Sequence, residues 1–164
     1  MKVLTNKHIE QKIDRLAYEI LEENHNESMV IFLGINKNGL RFAKYLQETY
    51  NEISEGKSTL GSISLNAAQP LKEEITIDID LKTLNNKSVV IVDDVANTGR
   101  TVFYAAKPLM NYLPKKVQVA VLVDRKHKQF PIEVDYVGLS LATTLKENIR
   151  VDLSRKTSKS VYLE

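Results

Sequence analysis

The chain lacks cysteine and contains three histidines among its 164 residues. Without cysteine it can form neither disulfides nor thiolate metal sites, and it has no thiol nucleophile. Three scattered histidines also argue against a histidine-rich metal site. Any metal bound by this chain is therefore expected to be a hard cation with oxygen ligands.

Long hydrophobic runs are missing as well. The longest apolar runs have about the length of a β-strand, far short of the ~20 residues that a membrane-spanning helix requires. The N-terminal sequence MKVLTNKHIEQK has no apolar segment typical of a signal peptide. We therefore expect a cytoplasmic protein without a membrane partner. The net charge of +2 gives no general reason to expect a polyanionic partner.

The composition is that of a globular protein, with 43% hydrophobic and 27% charged residues. A chain of this length can bury one sizeable core, which favours a single domain over residues 1–164. The segment 154–164, SRKTSKSVYLE, is polar and is expected to be a loosely held tail.

Apolar periodicity predicts alternating strands and helices. Helical spacing predicts an amphipathic helix from Asn6 to Asn24, and strand 29–35 is followed by a helical stripe within LRFAKYLQETY. Alternation in 59–66 and 73–80 predicts two strands of a more exposed sheet or hairpin. Pro108 should kink or shorten the helix in VFYAAKPLMNYL. Three further strands are expected at 88–94, 116–124 and 134–142.

Continuous apolar strands that alternate with helices predict an α/β fold, with a central twisted parallel sheet flanked by helices. A small hood is expected from the chain ends and the 59–80 hairpin. Ligands of such sheets bind beyond the carboxyl ends of the strands. Three polar segments lie at predicted strand ends, namely Asn36–Gly39, Asp93–Thr101 and Asp124–His127. We therefore expect these segments to converge.

The segment after strand 88–94 combines two acids with a loop that suits a phosphate. Gly99 lets the backbone approach an anion, and Thr98 and Thr101 add hydroxyl groups. The carboxylates of Asp93 and Asp94 would repel a bare phosphate, but they suit a ligand that also carries hydroxyls or a divalent cation. The alternative is an ordinary strand end followed by a capped helix.

This segment, VVIVDDVANTGRT, resembles the ribosyl-phosphate signature of type I phosphoribosyltransferases. The order of segments is similar to the PyrR-like branch, the bacterial pyrimidine regulators with uracil phosphoribosyltransferase activity. IFLGINKNGLRFAKYL and VAVLVDRKHKQFPIEVDYVG carry the rest of the resemblance. It implies transfer of ribose 5-phosphate from 5-phosphoribosyl 1-pyrophosphate to a nucleobase, with uracil expected, giving UMP and pyrophosphate in the presence of Mg²⁺.

The resemblance also implies roles for individual residues. Asp93 and Asp94 would hold the ribose hydroxyls and the metal, with Asp152 as a further metal contact. Lys37 and Arg125 would meet the pyrophosphate, although Arg125 could simply pair with a neighbouring acid. The residues expected to wrap the 5-phosphate are Ala96, Asn97, Thr98, Gly99, Arg100 and Thr101.

Two other segments have an ordinary structural interpretation beside the functional one. Asn36, Lys37, Asn38 and Gly39 match the pyrophosphate loop of the family, but the same residues also suit a surface turn. Tyr136 and Val137 fall where the family stacks the base, whereas periodicity alone favours core residues of a strand.

The chain departs from the family pattern in the connection 66–72, where the family has a longer loop with an Arg-Asp-Asp cluster. Loops that close over a site exclude water and complete its electrostatic shell. This departure supports an alternative, a nucleotide-sensing regulator with weak or no catalysis that binds RNA or a protein partner. Glu133 and Leu139 replace residues that are typically basic, which weakens the expectation of RNA binding. Homo-oligomers are common in the family and are expected here.

Overall fold

The computed structural model describes residues 1–144 and 146–164. Its helices and strands are, in chain order, β1 (Lys2–Leu4), α1 (Asn6–Asn24), β2 (Met29–Ile35), α2 (Asn36–Ile53), β3 (Lys57–Ser64), β4 (Thr76–Ile77), β5 (Ser88–Ala96), α3 (Arg100–Ala105), β6 (Lys116–Arg125), β7 (Tyr136–Leu141), β8 (Ile149–Asp152) and β9 (Ser160–Leu163). Short 3-10 helices occupy Leu81–Leu84 and Lys107–Asn111. Over the described residues, no helix is both long and apolar enough to cross a membrane.

Six strands form the main sheet, in the order β4-β3-β2-β5-β6-β7. Five of them, β3, β2, β5, β6 and β7, run parallel to one another. Strand β4 lies at the edge beside β3 and runs antiparallel to it. Strands β2 and β5 are central and are buried along most of their length. Burial on both faces explains why they are continuously apolar, and it confirms the predicted α/β fold with a parallel sheet.

Helices α1 and α2 cover one face of this sheet. Helix α1 has the predicted bounds, and Thr5 caps it by accepting a hydrogen bond from the backbone N–H of His8. Its apolar stripe faces the core and not solvent, as shown by the low exposure of Ile9, Ile13, Leu16, Ala17 and Ile20. Helix α2 adds Phe42 and Leu46 to the same core.

Helix α3 and the second 3-10 helix lie on the opposite face, where Val102, Ala105 and Leu109 are buried against β2 and β5. Helix α3 has only six residues, and the 3-10 helix that follows it contains Pro108. The predicted shortening at Pro108 is confirmed. Because proline lacks an N–H and its ring clashes with the preceding turn, an α-helix cannot continue through this position without distortion.

A separate antiparallel sheet joins the two ends of the chain, in the order β1-β9-β8. Lys2 of β1 pairs with Tyr162 of β9, and Val151 of β8 also pairs with β9. Val151, Leu153 and Val161 belong to the core formed by α1 and α2. The expectation of a loosely held tail is therefore wrong for the end of segment 154–164, which forms β9 and is partly buried.

The sheet β1-β9-β8 is the predicted hood, and segment 59–80 does not contribute to it. Strand β3 lies in the main sheet beside β2, in a parallel register that runs from Met29 opposite Lys57 to Ile35 opposite Ile63. Strand β4 pairs antiparallel with β3 over two residues. The predicted hairpin pairing is thus present, but it forms the edge of the main sheet. Its exposed position explains the alternating sequence.

Candidate functional site

Two adjacent carboxylates lie near the carboxyl end of β5. Asp93 is 7% exposed, and its Oδ1 accepts a hydrogen bond of 2.9 Å from the backbone N–H of Asp94. Burial, and then the neighbouring Asp94 carboxylate, raise the pKa of Asp93 well above its ordinary value. A ligand that brings hydroxyl donors or a cation to this pair would relieve the cost of burying the charge.

Helix α2 begins against this acidic pair. Asn38 donates from Nδ2 to Asp94 Oδ2 at 2.9 Å and to the carbonyl of Val151 in β8 at 3.3 Å. A side chain at Gly39 would place its Cβ 2.7 Å from the carbonyl oxygen of Val92 and 3.2 Å from Asp93 Oδ1. Asn38 thus links the acidic pair to the hood, and Gly39 permits the close approach of α2.

The other two residues of the predicted pyrophosphate loop differ in their surroundings. Asn36 has a positive φ of 52°, and its side-chain amide is paired with the backbone of Leu65. It donates to the Leu65 carbonyl and accepts from the Leu65 N–H, both at 3.0 Å. Lys37 is exposed. Asn36 therefore ties the start of α2 to the segment after β3, and the ammonium of Lys37 faces solvent.

A cavity of about 440 Å³ opens beside Asp93. Its lining includes every residue of the predicted phosphate loop, from Ala96 to Thr101, together with Gln129 and Phe130. Gly99 has a φ of 88°, a conformation that favours glycine, and it precedes the first turn of α3. Because α3 is short, an anion here would be bound chiefly by the loop amides and hydroxyls, with little help from a helix dipole.

Arg125 ends β6 at the same edge of the sheet. Its guanidinium donates from Nε to Thr143 Oγ1 at 2.6 Å, from Nη2 to the Thr144 carbonyl at 2.9 Å and from Nη1 to Asn97 Oδ1 at 3.3 Å. The structure thus brings Arg125 to the phosphate loop, as predicted for converging strand ends. Arg125 is held by neutral oxygens and not by a neighbouring acid.

Tyr136 and Val137 are not brought to this edge. Tyr136 begins β7 opposite Ala120, four residues before Ser140, which lies opposite Asp124. Its ring is buried in the core, its hydroxyl donates to Gln118 Oε1 at 2.7 Å, and burial raises the pKa of the phenol. The Val137 carbonyl accepts a hydrogen bond from Arg15. The surroundings of Tyr136 are those of a core residue.

Asp152 makes its hydrogen bonds within its own turn at the end of β8. Its carboxylate accepts hydrogen bonds from the N–H and the hydroxyl of Ser154, and these bonds lower its pKa. Across residues 1–144 and 146–164, no group of three or more histidine, aspartate or glutamate side chains is placed to hold a metal. The structure therefore does not make Asp152 a third ligand beside Asp93 and Asp94.

A larger cavity of about 590 Å³ lies elsewhere, between segment 70–77 and the 3-10 helix Lys107–Asn111. None of its lining residues comes from the acidic pair, from the phosphate loop or from the ends of β2 and β6. Size alone does not make a functional site. The smaller cavity brings together the Asp93 carboxylate and the amides and hydroxyls of the phosphate loop, and is the better candidate.

Comparison with known proteins agrees with this geometry. Residues 2–154 match the family described as the phosphoribosyl transferase domain. The chain belongs to the phosphoribosyltransferase family. A bifunctional protein PyrR from Clostridium novyi is 35% identical over 167 residues, covering 96% of this chain and 92% of the relative. Another, from Caldicellulosiruptor bescii, is 40% identical over 147 residues, with coverages of 84% and 79%.

Solved structures agree on the fold of this chain. The hypoxanthine phosphoribosyltransferase of Trypanosoma cruzi superposes with a TM-score of 0.77 at 16% identity, covering 98% of this chain and 95% of the other. A hypoxanthine-guanine phosphoribosyltransferase from Bacillus anthracis gives a TM-score of 0.73 at 20% identity, with coverages of 86% and 82%. At these identities the likeness establishes the fold alone.

Sequence reasoning missed four residues at the candidate site. Gln129 and Phe130 line the cavity, and their N–H groups donate to the Thr98 carbonyl at 2.9 Å and 3.2 Å. Thr143 and Thr144 accept from Arg125. Gln129 and Phe130 lie within the stretch VAVLVDRKHKQFPIEVDYVG, but the resemblance implied no role for them. Thr143 and Thr144 belong to no motif, although a search for polar residues just beyond the end of the last parallel strand would have pointed to them.

Arg100 connects the phosphate loop to the segment that follows β3. Its side chain donates from Nη2 to the carbonyls of Ala67 and Ala68, at 2.8 Å and 3.3 Å. In the same segment, the side chain of Asn66 accepts hydrogen bonds from the N–H groups of Ala68 and Gln69. Arg100 therefore holds the 66–69 connection against the loop, and its side chain does not point freely toward a ligand.

Arg100→Met is expected to release this connection. Loss of the charged donor removes about 1 to 1.5 kcal/mol of stabilisation, so amide hydrogen exchange in 66–69 should accelerate by about tenfold. Hydrogen exchange followed by mass spectrometry measures the effect, and Arg155→Met, which removes an exposed arginine between β8 and β9, is the matched control. Equal exchange in the two variants would show that Arg100 does not hold the connection.

Proposed function

We propose that this chain transfers ribose 5-phosphate from 5-phosphoribosyl 1-pyrophosphate to uracil, giving UMP and pyrophosphate. The observation that carries the proposal is a cavity at the carboxyl edge of the parallel sheet, lined by the buried Asp93 and by the whole phosphate loop, with Asp94 directly beside Asp93. The family supports transfer of a phosphoribosyl group. Uracil is the acceptor implied by the resemblance to PyrR-like proteins, the name that the curated relatives carry.

In this proposal the loop 96–101 binds the 5-phosphate and the acidic pair binds the ribose. The ribose hydroxyls would donate to Asp93 and Asp94, which compensates for the burial of Asp93. Departure of pyrophosphate leaves positive charge at the anomeric carbon. Two carboxylates held in place beside the ribose would stabilise that charge without reorganising.

Mg²⁺ fits the donor set of this site. Asp93 and Asp94 supply hard carboxylate oxygens beside a cavity that could hold substrate phosphates, and proteins commonly bind Mg²⁺ through one or two carboxylates together with such phosphates. When bound, the cation would neutralise charge on the pyrophosphate leaving group. Lys37 at the start of α2 is exposed and could supply a second positive charge to that group.

A second candidate function is a nucleotide-sensing regulator with little turnover, which binds RNA or a protein partner. The observation that favours it is the tethering of the 66–69 connection. Arg100 holds this connection to the phosphate loop, and Asn36 pairs with the backbone of Leu65 just before it. A segment held in this way is less free to close over a substrate and exclude water. RNA binding and self-association stay predictions.

One experiment separates the two candidates. Pyrophosphate release from the donor is measured with Mg²⁺ across a panel of bases that begins with uracil, while calorimetry measures the binding of donor and of UMP. Release that depends on uracil supports the transferase. Binding of donor or UMP without release supports the regulator, and binding of neither ligand overturns both candidates.

Thr98→Ala is expected to weaken UMP binding by about 1.5 to 3 kcal/mol, the range for a lost hydrogen bond to a charged group. The Thr98 hydroxyl accepts a long bond of 3.4 Å from the Arg100 N–H, so its own hydrogen is available to a phosphate. Titration calorimetry measures the change, with Thr76→Ala on the exposed edge strand as the control. Unchanged affinity in the Thr98 variant would place the phosphate elsewhere.

A further inference from the structure

Lys128 lies at the junction of two loops of the site. Its ammonium donates to Asp124 Oδ1 at 2.5 Å, to the Arg125 carbonyl at 2.6 Å and to the Asn97 carbonyl at 3.1 Å. An ammonium has three N–H donors, and the chain itself accepts from all three. The Lys128 side chain is 22% exposed and that of Asp124 is 16% exposed. This lysine is therefore committed to internal contacts, unlike an ordinary surface cation.

The two loops also meet at points around Lys128. The Thr98 carbonyl accepts from the N–H groups of Gln129 and Phe130. A Cβ added to Gly99 would lie 3.4 Å from Cδ of Lys128, so the stem of the lysine packs beside the turn of the phosphate loop. Arg125 reaches the Asn97 side chain. The backbone of 97–99 thus packs against segment 124–130, and the Lys128 ammonium hydrogen-bonds to the Asn97 carbonyl on one side and to Asp124 and the Arg125 carbonyl on the other.

We propose that Lys128 is a positioning residue that fixes the phosphate loop 97–99 relative to Arg125 through its three hydrogen bonds. It acts without touching the ligand, because the Asn97 and Arg125 carbonyls and the Asp124 carboxylate occupy its donors. The partly buried Asp124 balances its charge. This role of Lys128 in ligand binding rests on the proposed function, whereas its role in ordering the loop does not.

The first test measures loop order and needs no ligand. In Lys128→Met, which keeps a stem of similar length and removes the ammonium, amide exchange in residues 96–101 should rise by about tenfold or more. Lys126→Met is the matched control, because Lys126 is a neighbouring lysine with an exposed side chain. Exchange at 96–101 that is unchanged in a folded Lys128→Met protein would overturn the proposal.

A second variant guards against simple destabilisation. Lys128→Met leaves the Asp124 carboxylate partly buried without its cation, which lowers stability by itself. In the double variant Lys128→Met with Asp124→Asn this charge is removed, and the midpoint of urea unfolding should return toward the wild-type value. The fast exchange at 96–101 should persist. Recovery of slow exchange together with stability would show that Lys128 does not order the loop.

The ligand test compares UMP affinity in these proteins. Both Lys128 variants should bind UMP about tenfold more weakly, and the loss should persist at 0.5 M salt (about a 4 Å screening length), because the lost contacts are partly buried. A cation that only attracts the phosphate through solvent would give a loss that disappears at high salt and appears equally in Lys126→Met, which would contradict the proposal. If the wild-type protein binds neither UMP nor the donor, the proposed function fails, while the exchange test still decides the role of Lys128 in the loop.

Discussion

Asp93→Asn should lower the affinity for 5-phosphoribosyl 1-pyrophosphate by about 100-fold or more while increasing the stability of the protein. In the proposed function, the substitution removes charged hydrogen bonds between the Asp93 carboxylate and the ribose hydroxyls, each worth about 1.5 to 3 kcal/mol. Stability rises because burial and the neighbouring Asp94 carboxylate make ionisation of Asp93 costly, whereas the asparagine amide carries no charge. Calorimetry with donor and Mg²⁺ measures the first effect, and urea unfolding measures the second.

The sign of the stability effect depends on pH. Folding raises the pKa of Asp93, so the folded protein resists its ionisation more than the unfolded chain does. The cost is absent below the unfolded pKa, near 4, and grows as the pH rises toward the folded pKa. The unfolding free energies of Asp93→Asn and wild type should therefore be similar near pH 4, and the variant should be the more stable protein at pH 7.5.

Asp94→Asn is the matched comparison, because Asp94 is only half-buried and its side chain accepts from Asn38. It should also lose donor affinity, with a smaller gain in stability. Wild-type donor affinity in Asp93→Asn would refute the ribose role of this residue. Equal stability of Asp93→Asn and wild type at pH 7.5 would show that the folded protein accommodates the Asp93 charge without cost.

Most of the fold could be predicted because its signals are local. Strands β2 and β5 are continuously apolar because both faces of the sheet are covered, and the bounds of α1 follow from its stripe and from the cap at Thr5. The six-residue length of α3 follows from Pro108 in the next turn. In each case the residues that decide the structure lie within the element or directly beside it.

The hood could not be predicted in the same way. Segment 154–164 predicts a loosely held tail because most of its residues are polar, although it ends in strand β9. Strand β9 is ordered by pairing with β1 at the other end of the chain, with Lys2 opposite Tyr162, and by burial of Val161. Pairing between residues this far apart is decided by the packed tertiary structure, which overrides weak local propensity.

The candidate site was likewise predicted in part from the sequence. The convergence of strand ends was predicted from topology, and the structure confirms it for the acidic pair, the phosphate loop and Arg125. The base-pocket role of Tyr136 and Val137 was implied by the family resemblance, whereas periodicity alone favoured core residues of a strand, and the structure places Tyr136 in the core. The register of β7 against β6 decides this placement, and it also places Thr143 beside Arg125.

Gly39→Ala is expected to damage stability and donor binding together. The added Cβ would lie 2.7 Å from the backbone carbonyl oxygen of Val92, and neither main chain can yield without moving α2 away from β5. Overpacking of this kind costs about 1 to 3 kcal/mol. Urea unfolding measures this cost. Gly56→Ala is the control, because a Cβ there comes no closer than 3.3 Å to the Ser54 hydroxyl, 3.5 Å to the Glu27 carbonyl and 3.8 Å to the Tyr50 hydroxyl.

The same Cβ would lie 3.2 Å from Asp93 Oδ1, and any retreat of α2 would carry Asn38 away from Asp94 and Val151. Donor affinity should therefore fall by about tenfold or more, the cost of at least one misplaced charged hydrogen bond. Lower stability with wild-type donor affinity would show that the acidic pair keeps its geometry without α2. A loss of both stability and donor affinity, as expected, would show that the contact between α2 and β5 holds both carboxylates in place.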